Sequence, residues 1–200
     1  MAALSDGIFA VAMTLLAYNV HVPNAPLDDR QLGVELVRML GEASGLLMSF
    51  AVAAMFWMSH FRLFSSIRQA DYLFGLINFS LLFSVVLLPI STSLRAAFHA
   101  SKVAAVVYGT NLALLSALNL LLWVYAVRRR WLPGFDRRFP AILLELAPSV
   151  YSLSIFLGGL AMIPWDPVMA QLVWVSAFGS PLVNHILNAV RAKRGHQRPG

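Results

Sequence analysis

Six apolar stretches, each long enough to cross a lipid bilayer, run through the 200 residues of this chain. A helix needs roughly 20 mainly apolar residues to span about 30 Å of hydrocarbon. The chain is 59% hydrophobic and 12% charged, whereas a soluble domain is about 25% charged, so much of its surface must meet lipid. We predict an all-α integral membrane protein, one domain over residues 1–200, with six transmembrane helices. Their predicted bounds are 5–22, 32–64, 72–94, 103–127, 139–163 and 167–190.

The basic residues predict the orientation of these spans. Lys and Arg collect in cytoplasmic loops, and eleven of the 15 fall in every second connection or in the tail. Both termini are therefore predicted to be cytoplasmic, in a plasma-membrane protein, and the net charge of +6 calls for no nucleic-acid partner. The eleven are Arg62, Arg68, Arg128, Arg129, Arg130, Arg137, Arg138, Arg191, Lys193, Arg194 and Arg198, and the other four are Arg30, Arg38, Arg95 and Lys102.

Motifs of enzymes and cofactor-binding proteins do not occur in this sequence. It contains no HExxH, GxSxG or Walker motif and no cysteine, so we expect no enzyme activity, no cofactor and no resident metal. Glu145 is an acid within the fifth span and hence a functional candidate, although Arg137 or Arg138 could reach it. Asn184 and His185, near the end of the sixth span, are interpreted as packing or interface residues.

The first span carries a continuous helix face. Val11, Thr14, Leu15 and Tyr18 stand at positions i, i+3, i+4 and i+7. Around a symmetry axis this face would form apolar rings that gate by dewetting, with a hydroxyl ring between them. The same spacing builds a packing seam between helices, and periodicity alone favours the seam. Ser5, followed by an acid, is interpreted as the helix N-cap.

Two regions resemble the transmembrane protein 175 (TMEM175) potassium channels, particularly their single-repeat prokaryotic members. The first reads Ser5-Asp6-Gly7-Ile8-Phe9-Ala10, followed by Thr14-Leu15-Leu16, and is similar to the first-helix signature of the family. The second runs from the last part of the second span to the last part of the third, and the two regions together cover roughly the first 95 residues. The second region consists of Trp57, His60, Phe64, Asp71, Asn78 and Leu87-Leu88-Pro89.

The resemblance implies a homotetramer in the bilayer, with four copies of the first helix lining a central cation path. Potassium is then the permeant ion, with sodium or protons passing less readily. Val11 is the narrowest apolar ring, followed by Leu15 and Tyr18, and Thr14 supplies the hydroxyl layer associated with potassium preference. A buried polar network holds the first helix against the next two, and it consists of Ser5, Asp6, Trp57, His60 and Asn78.

The sequence departs from the family pattern at several positions. Leu4 replaces an aromatic residue, and the signature arginine would fall before Met1. Val11 is smaller than the usual Ile or Leu, Tyr18 replaces an aliphatic residue, and Asn19 stands where an acid is common. The chain contains no TVGYG-type filter and no span with repeated arginines, so we expect modest selectivity and leak-like conduction past side chains.

Two other functions are compatible with the sequence. A small proton-coupled transporter would use Asp6, His60 and Glu145 as its proton-linked groups. A non-conducting membrane assembly protein would use the face of the first helix only as a packing seam. Saturating flux that collapses with the proton gradient would indicate the transporter, and a monomer in mild detergent would count against the channel.

Overall fold

The computed structural model describes residues 1–17, 26, 28–132 and 139–179. Every regular element within these ranges is helical, as the sequence predicts. Consecutive helices pack side by side, α3 on α4, α4 on α5 and α5 on α6, while α1 lies against both α2 and α3. The elements are α1 Ala2–Leu16, α2 Asp29–Ser66, α3 Tyr72–Ala97, α4 Lys102–Arg129, α5 Phe139–Met162 and α6 Pro167–Val175, which a 3₁₀ turn, Ser176–Gly179, continues.

Within the described ranges, four helices are long and apolar enough to cross a membrane. They are α2, α3, α4 and, within α5, the segment Glu145–Met162. The apolar helices Ala2–Leu16 and Pro167–Gly179 are shorter. The predicted first and sixth spans extend to residues 22 and 190, beyond the described parts of the chain, so six complete spans remain a prediction.

Side chains at the helix starts explain where α2, α3 and α4 begin. Asp28 accepts a 2.7 Å hydrogen bond from the backbone N–H of Gln31, whose side chain accepts one from the Asp28 N–H, which completes a capping box. Asp71 and Ser101 cap α3 and α4 through bonds to the backbone three residues later. The prediction of Ser5 as an N-cap is wrong: α1 begins at Ala2, and the Ser5 hydroxyl donates to the Met1 carbonyl within the helix.

Two glycines allow α4, α5 and α6 to approach closely around one tryptophan. Trp174 is fully buried, and its indole N–H donates to the Phe156 carbonyl at 3.2 Å. A Cβ atom at Gly159 would lie 2.0 Å from the indole nitrogen, and one at Gly109 would lie 2.6 Å from the ring. The bare backbone at these two positions therefore forms the wall of the Trp174 site.

Candidate pore helix and its polar anchor

Helix α1 has two faces with different surroundings. Ser5, Phe9, Ala12 and Leu16 are buried, and their spacing of four, three and four residues places them on one side of the helix. The other side is exposed: Val11 is 57% exposed and Leu15 is 44% exposed. Thr14 and Leu4 are also exposed. Within the described part of the chain, the residues Val11, Thr14 and Leu15 of the predicted face are therefore exposed.

Thr14 lies between the two exposed apolar residues of this face. Its hydroxyl donates a 2.8 Å hydrogen bond to the Val11 carbonyl oxygen. A hydroxyl that donates its single proton still has oxygen lone pairs that can accept a bond or contact a cation. Tyr18, the remaining predicted residue of the face, lies outside the described residues, as does Asn19.

The buried side of α1 is held by a polar network that joins three helices. The Trp57 indole N–H donates to Asp6 Oδ1 at 2.9 Å, which links α2 to α1. His60 Nε2 and Asn78 Oδ1 are 2.8 Å apart, and Asn78 Nδ2 donates to Ser5 Oγ at 3.3 Å. All five predicted network residues thus come together. Hydrogen bonding allows such polar groups to be buried in an apolar bundle.

The Asn78 amide also indicates the tautomer of the histidine. Since Nδ2 donates to Ser5, the amide oxygen is the atom that faces His60. An oxygen acceptor requires a proton on His60 Nε2, so this nitrogen is the donor in the assigned orientation. In this arrangement the imidazole of α2 donates to Asn78 of α3, and Asn78 in turn donates to Ser5 of α1.

Aromatic rings surround the histidine of the network, a feature that the sequence analysis did not assign. The Phe64 ring stacks on His60 with a centroid distance of 4.2 Å, and the Phe9 ring lies 5.7 Å away. Phe64 follows His60 by one helical turn, and Phe9 follows Ser5 by one turn. These spacings are the sequence signal by which both residues could have been found.

A second polar cluster, also missed from the sequence, joins α2, α4 and α5. Asn119 donates to Ser59 Oγ at 3.1 Å and to Ser149 Oγ at 3.2 Å, and the Trp123 indole N–H donates to the same Ser59 hydroxyl. An asparagine within an apolar helix was the available signal, because such a residue pairs across helices in a membrane.

Of the remaining sequence candidates, the structure describes only Glu145. Glu145 lies in α5, the helix that packs mainly between α4 and α6. Arg137, Arg138, Asn184 and His185 lie outside the described residues. Across the described ranges, no three His, Asp or Glu side chains come close enough together to hold a metal ion.

Asp71 connects the start of α3 to the end of α4, outside the membrane-spanning segments. One carboxylate oxygen accepts from the Phe74 backbone N–H at 2.9 Å, and the other accepts from the Tyr125 hydroxyl at 2.7 Å and from Arg129 at 2.9 Å. The backbone N–H of Phe74 in particular, with the Tyr125 hydroxyl and the Arg129 charge, lowers the pKa of the Asp71 carboxyl. We name these residues the Asp71 clasp.

Known proteins share both the sequence and the fold of this chain. The family described as the endosomal/lysosomal potassium channel TMEM175 matches residues 1–89. A potassium channel of Chamaesiphon minutus is 35% identical over 129 residues, which cover 62% of this chain and 63% of the relative. The chain thus spans just under two thirds of that relative. A potassium channel of Streptomyces collinus is 31% identical over 143 residues, which cover 70% of this chain and 68% of the relative.

A solved structure agrees over nearly the whole length of the chain. It is the crystal structure of a lysosomal potassium-selective channel TMEM175 homolog from Chamaesiphon minutus. It matches with a TM-score of 0.74 and 26% identity, over 92% of this chain and 95% of the other. The sequence match to the Streptomyces collinus relative extends over two thirds of both chains, and the family match over residues 1–89 contains the α1 signature. This chain therefore belongs to the TMEM175 family.

Proposed function

We propose that this chain is a subunit of a potassium-conducting channel in which four copies of α1 surround a central ion path. Membership of the TMEM175 family supports the general statement, since the family and the two bacterial relatives are described as potassium channels. In this proposal the whole chain, residues 1–200, forms one six-span domain in the plasma membrane with both termini in the cytoplasm. The distribution of basic residues supports that orientation.

The observation that carries the proposal is the exposed face of α1. One side of this short helix is held by hydrogen bonds from Ser5 and Asp6 to two neighbouring helices, while Val11 and Leu15 on the other side are exposed. A helix that only packed against its neighbours in a monomer would not require such a polar anchor. Anchoring of this kind supports a precise position for the exposed face, as symmetric copies around an axis require.

The residues of this face have distinct roles in the proposed pore. Val11, then Leu15 and Tyr18, form the apolar constrictions, and Thr14 provides a ring of hydroxyl oxygens between them. Apolar rings limit conduction because an ion must shed water to pass them. The Thr14 oxygens, already oriented by the bond to the Val11 carbonyl, partly replace that water. Conduction is leak-like, and sodium and protons pass less readily than potassium.

Ion flux from purified protein in liposomes tests the proposal. Potassium, sodium and proton gradients are applied in parallel, with empty vesicles as the blank, and we expect potassium flux to exceed sodium flux. Val11→Ser should raise potassium flux several-fold, because a hydroxyl lowers the cost of keeping the ion hydrated at the constriction. Val86, also an exposed valine but on α3, provides the matched control, and Val86→Ser should leave the flux unchanged.

The Thr14→Val variant tests the proposed selectivity position without a change in side-chain shape. We expect the potassium-to-sodium ratio to fall by about fivefold, the equivalent of roughly 1 kcal/mol for one neutral hydrogen-bonding contact. Thr110 is exposed on α4, so Thr110→Val is the control. If neither Val11→Ser nor Thr14→Val altered the currents of a conducting protein, α1 would not line the pore.

The proton-coupled transporter is the alternative proposal. It requires Asp6, His60 and Glu145 to exchange protons. Asp6 is instead hydrogen-bonded to Trp57, and His60 to Asn78, in the network that positions α1. These bonds favour a structural role for both residues. Flux that saturates with potassium and disappears when the proton gradient is removed would favour the transporter over the channel.

A further inference from the structure

A cavity that several polar side chains line lies at the end of the bundle where α3 is followed by α4, remote from the α1 network. Its volume is about 520 Å³, within the range of about 300–1,000 Å³ that is usual for ligand pockets. Four helices contribute to it, and no carboxylate occurs among the described lining residues. The polar side chains that the argument uses are Arg38, Ser49, Thr92, Arg95, Tyr108 and Gln171.

Arg95 is the buried cation of this cavity. It is only 8% exposed, and its guanidinium donates to the His99 carbonyl and, at 3.1 Å, to Gln171 Oε1. Its Nε has no hydrogen-bond partner within the described part of the chain. Both of its partners are neutral, whereas a buried charge is costly unless an opposite charge accompanies it. Among the described residues, no anion accompanies the Arg95 guanidinium.

The other polar groups suit a tetrahedral oxyanion. Arg38 brings a second guanidinium to the cavity from α2, where it is paired with Glu35. A chain of hydroxyls lies deeper, with Thr92 Oγ1 3.0 Å from Ser49 Oγ and Ser49 Oγ 2.9 Å from the Tyr108 hydroxyl. Guanidinium groups bind phosphate through paired, charge-assisted hydrogen bonds, and hydroxyls can turn to donate to the remaining oxygens.

We propose that this cavity binds a phosphate group, carried either by a membrane lipid or by free phosphate. Arg95 lies in the last turn of α3, and since the end of a membrane-spanning helix lies near the interface, we expect the cavity at the depth of the lipid headgroups. The space beside the Gly45 backbone is open, since a Cβ there would meet no atom within 4 Å. Occupancy would tie α2 to α3 and α6 through one ligand, and it is independent of whether α1 conducts ions.

Binding to the purified full-length protein tests the proposal. The probes are phosphatidylglycerol with short acyl chains, the diacylglycerol of the same chain length, and inorganic phosphate against chloride at equal ionic strength. Native mass spectrometry reports bound molecules, and the thermal midpoint reports stabilisation. Arg95→Gln should weaken phosphate-group binding about tenfold, since it removes the charge from a charge-assisted bond. Arg68, exposed beyond the other end of α2, provides the control variant Arg68→Gln, which should bind like the wild type.

Further variants keep the test decisive should Arg95→Gln fail to fold. Gly45→Leu fills the open space without removal of a charge, and Arg38→Gln removes only the second guanidinium; both should weaken binding. Saturable binding of phosphatidylglycerol but not of phosphate identifies the lipid as the source, and binding of phosphate alone identifies the free ion. The proposal is overturned if neither phosphatidylglycerol nor phosphate binds. It is also overturned if Arg68→Gln weakens binding as much as Arg95→Gln does.

Discussion

Replacement of Asn78 by leucine tests whether the polar network holds α1 in place. Asn78 is almost fully buried and contacts both His60 and Ser5. Leucine has the same branched arrangement of four side-chain heavy atoms but leaves the His60 N–H without an acceptor, and an orphaned buried donor costs about 1–3 kcal/mol. Ser5 adds little to this cost, because its hydroxyl continues to donate to the Met1 carbonyl. We therefore expect Asn78→Leu to reduce the free energy of unfolding by about 1–3 kcal/mol.

A double-mutant cycle isolates the hydrogen bond from other effects of the leucine. His60 stacks on Phe64, so His60→Phe keeps a flat ring in the same place and removes the donor. Replacement of both polar partners by apolar groups of similar shape can be nearly neutral. The double variant should therefore be more stable than Asn78→Leu alone. Ser80 is exposed on the same helix, and Ser80→Leu is the control for leucine on α3.

Two measurements on each variant decide the outcome. Denaturant unfolding in mild detergent gives the stability, and potassium flux in liposomes shows whether α1 keeps its position. We expect both to fall in Asn78→Leu and both to recover partly when His60→Phe is added. Additive destabilisation in the double variant would refute the reasoning, since the two side chains would then act independently. Equal behaviour of Asn78→Leu and Ser80→Leu would refute it too.

Two further predictions concern neighbouring glycines and the Asp71 clasp. Gly159→Ala should reduce the free energy of unfolding by about 1–3 kcal/mol, because the added methyl group overpacks against Trp174. Gly158→Ala has open space at its Cβ, so it should be neutral or stabilise by up to about 1 kcal/mol. Unfolding curves measured in parallel give both values, and equal effects would contradict the packing argument. Asp71→Asn keeps an oxygen to cap α3 but loses the charge that faces Arg129. Because the folded-state pKa of Asp71 is depressed, the stability that this carboxylate contributes is present above its unfolded pKa and is lost as the pH falls through the folded pKa; the variant should therefore be less stable than wild type at neutral pH and equal to it in acid, and a difference independent of pH would contradict the prediction.

Hydropathy and charge could predict the helices but not all of their partners. The predicted ranges 72–94, 103–127 and 139–163 lie within a few residues of α3, α4 and α5, because a span length is a local property of the sequence. The prediction that Ser5 caps α1 was wrong, because serine serves either as an N-cap or as a buried hydrogen-bond donor within a helix. Which of the two it is depends on where the helix begins. The Trp174 site could not be predicted either, since it forms only when distant glycines are brought together.

The network around α1 shows the same limit at the candidate site. Trp57 and His60 are three residues apart and share a face of α2, which local spacing predicts. Their partners Asp6 and Asn78 come from two other helices. The family resemblance, not the spacing of residues, predicted that these four side chains form one network. Hydrogen bonds between helices depend on how the helices are positioned along each other, and the local spacing of residues in one sequence does not give that relative position.

The exposed side of α1 leads to a final prediction about the origin of selectivity. Among the exposed residues that the structure describes in α1, Thr14 has the only polar side chain, while Leu4, Val11 and Leu15 are apolar. An ion that passes such rings must lose water with little replacement, and sodium holds its water more tightly than potassium. The constriction itself should therefore favour potassium, and Val11→Ser should raise sodium flux more than potassium flux. If Val11→Ser raised both fluxes by the same factor while Thr14→Val abolished the preference, selectivity would reside in the hydroxyl ring alone.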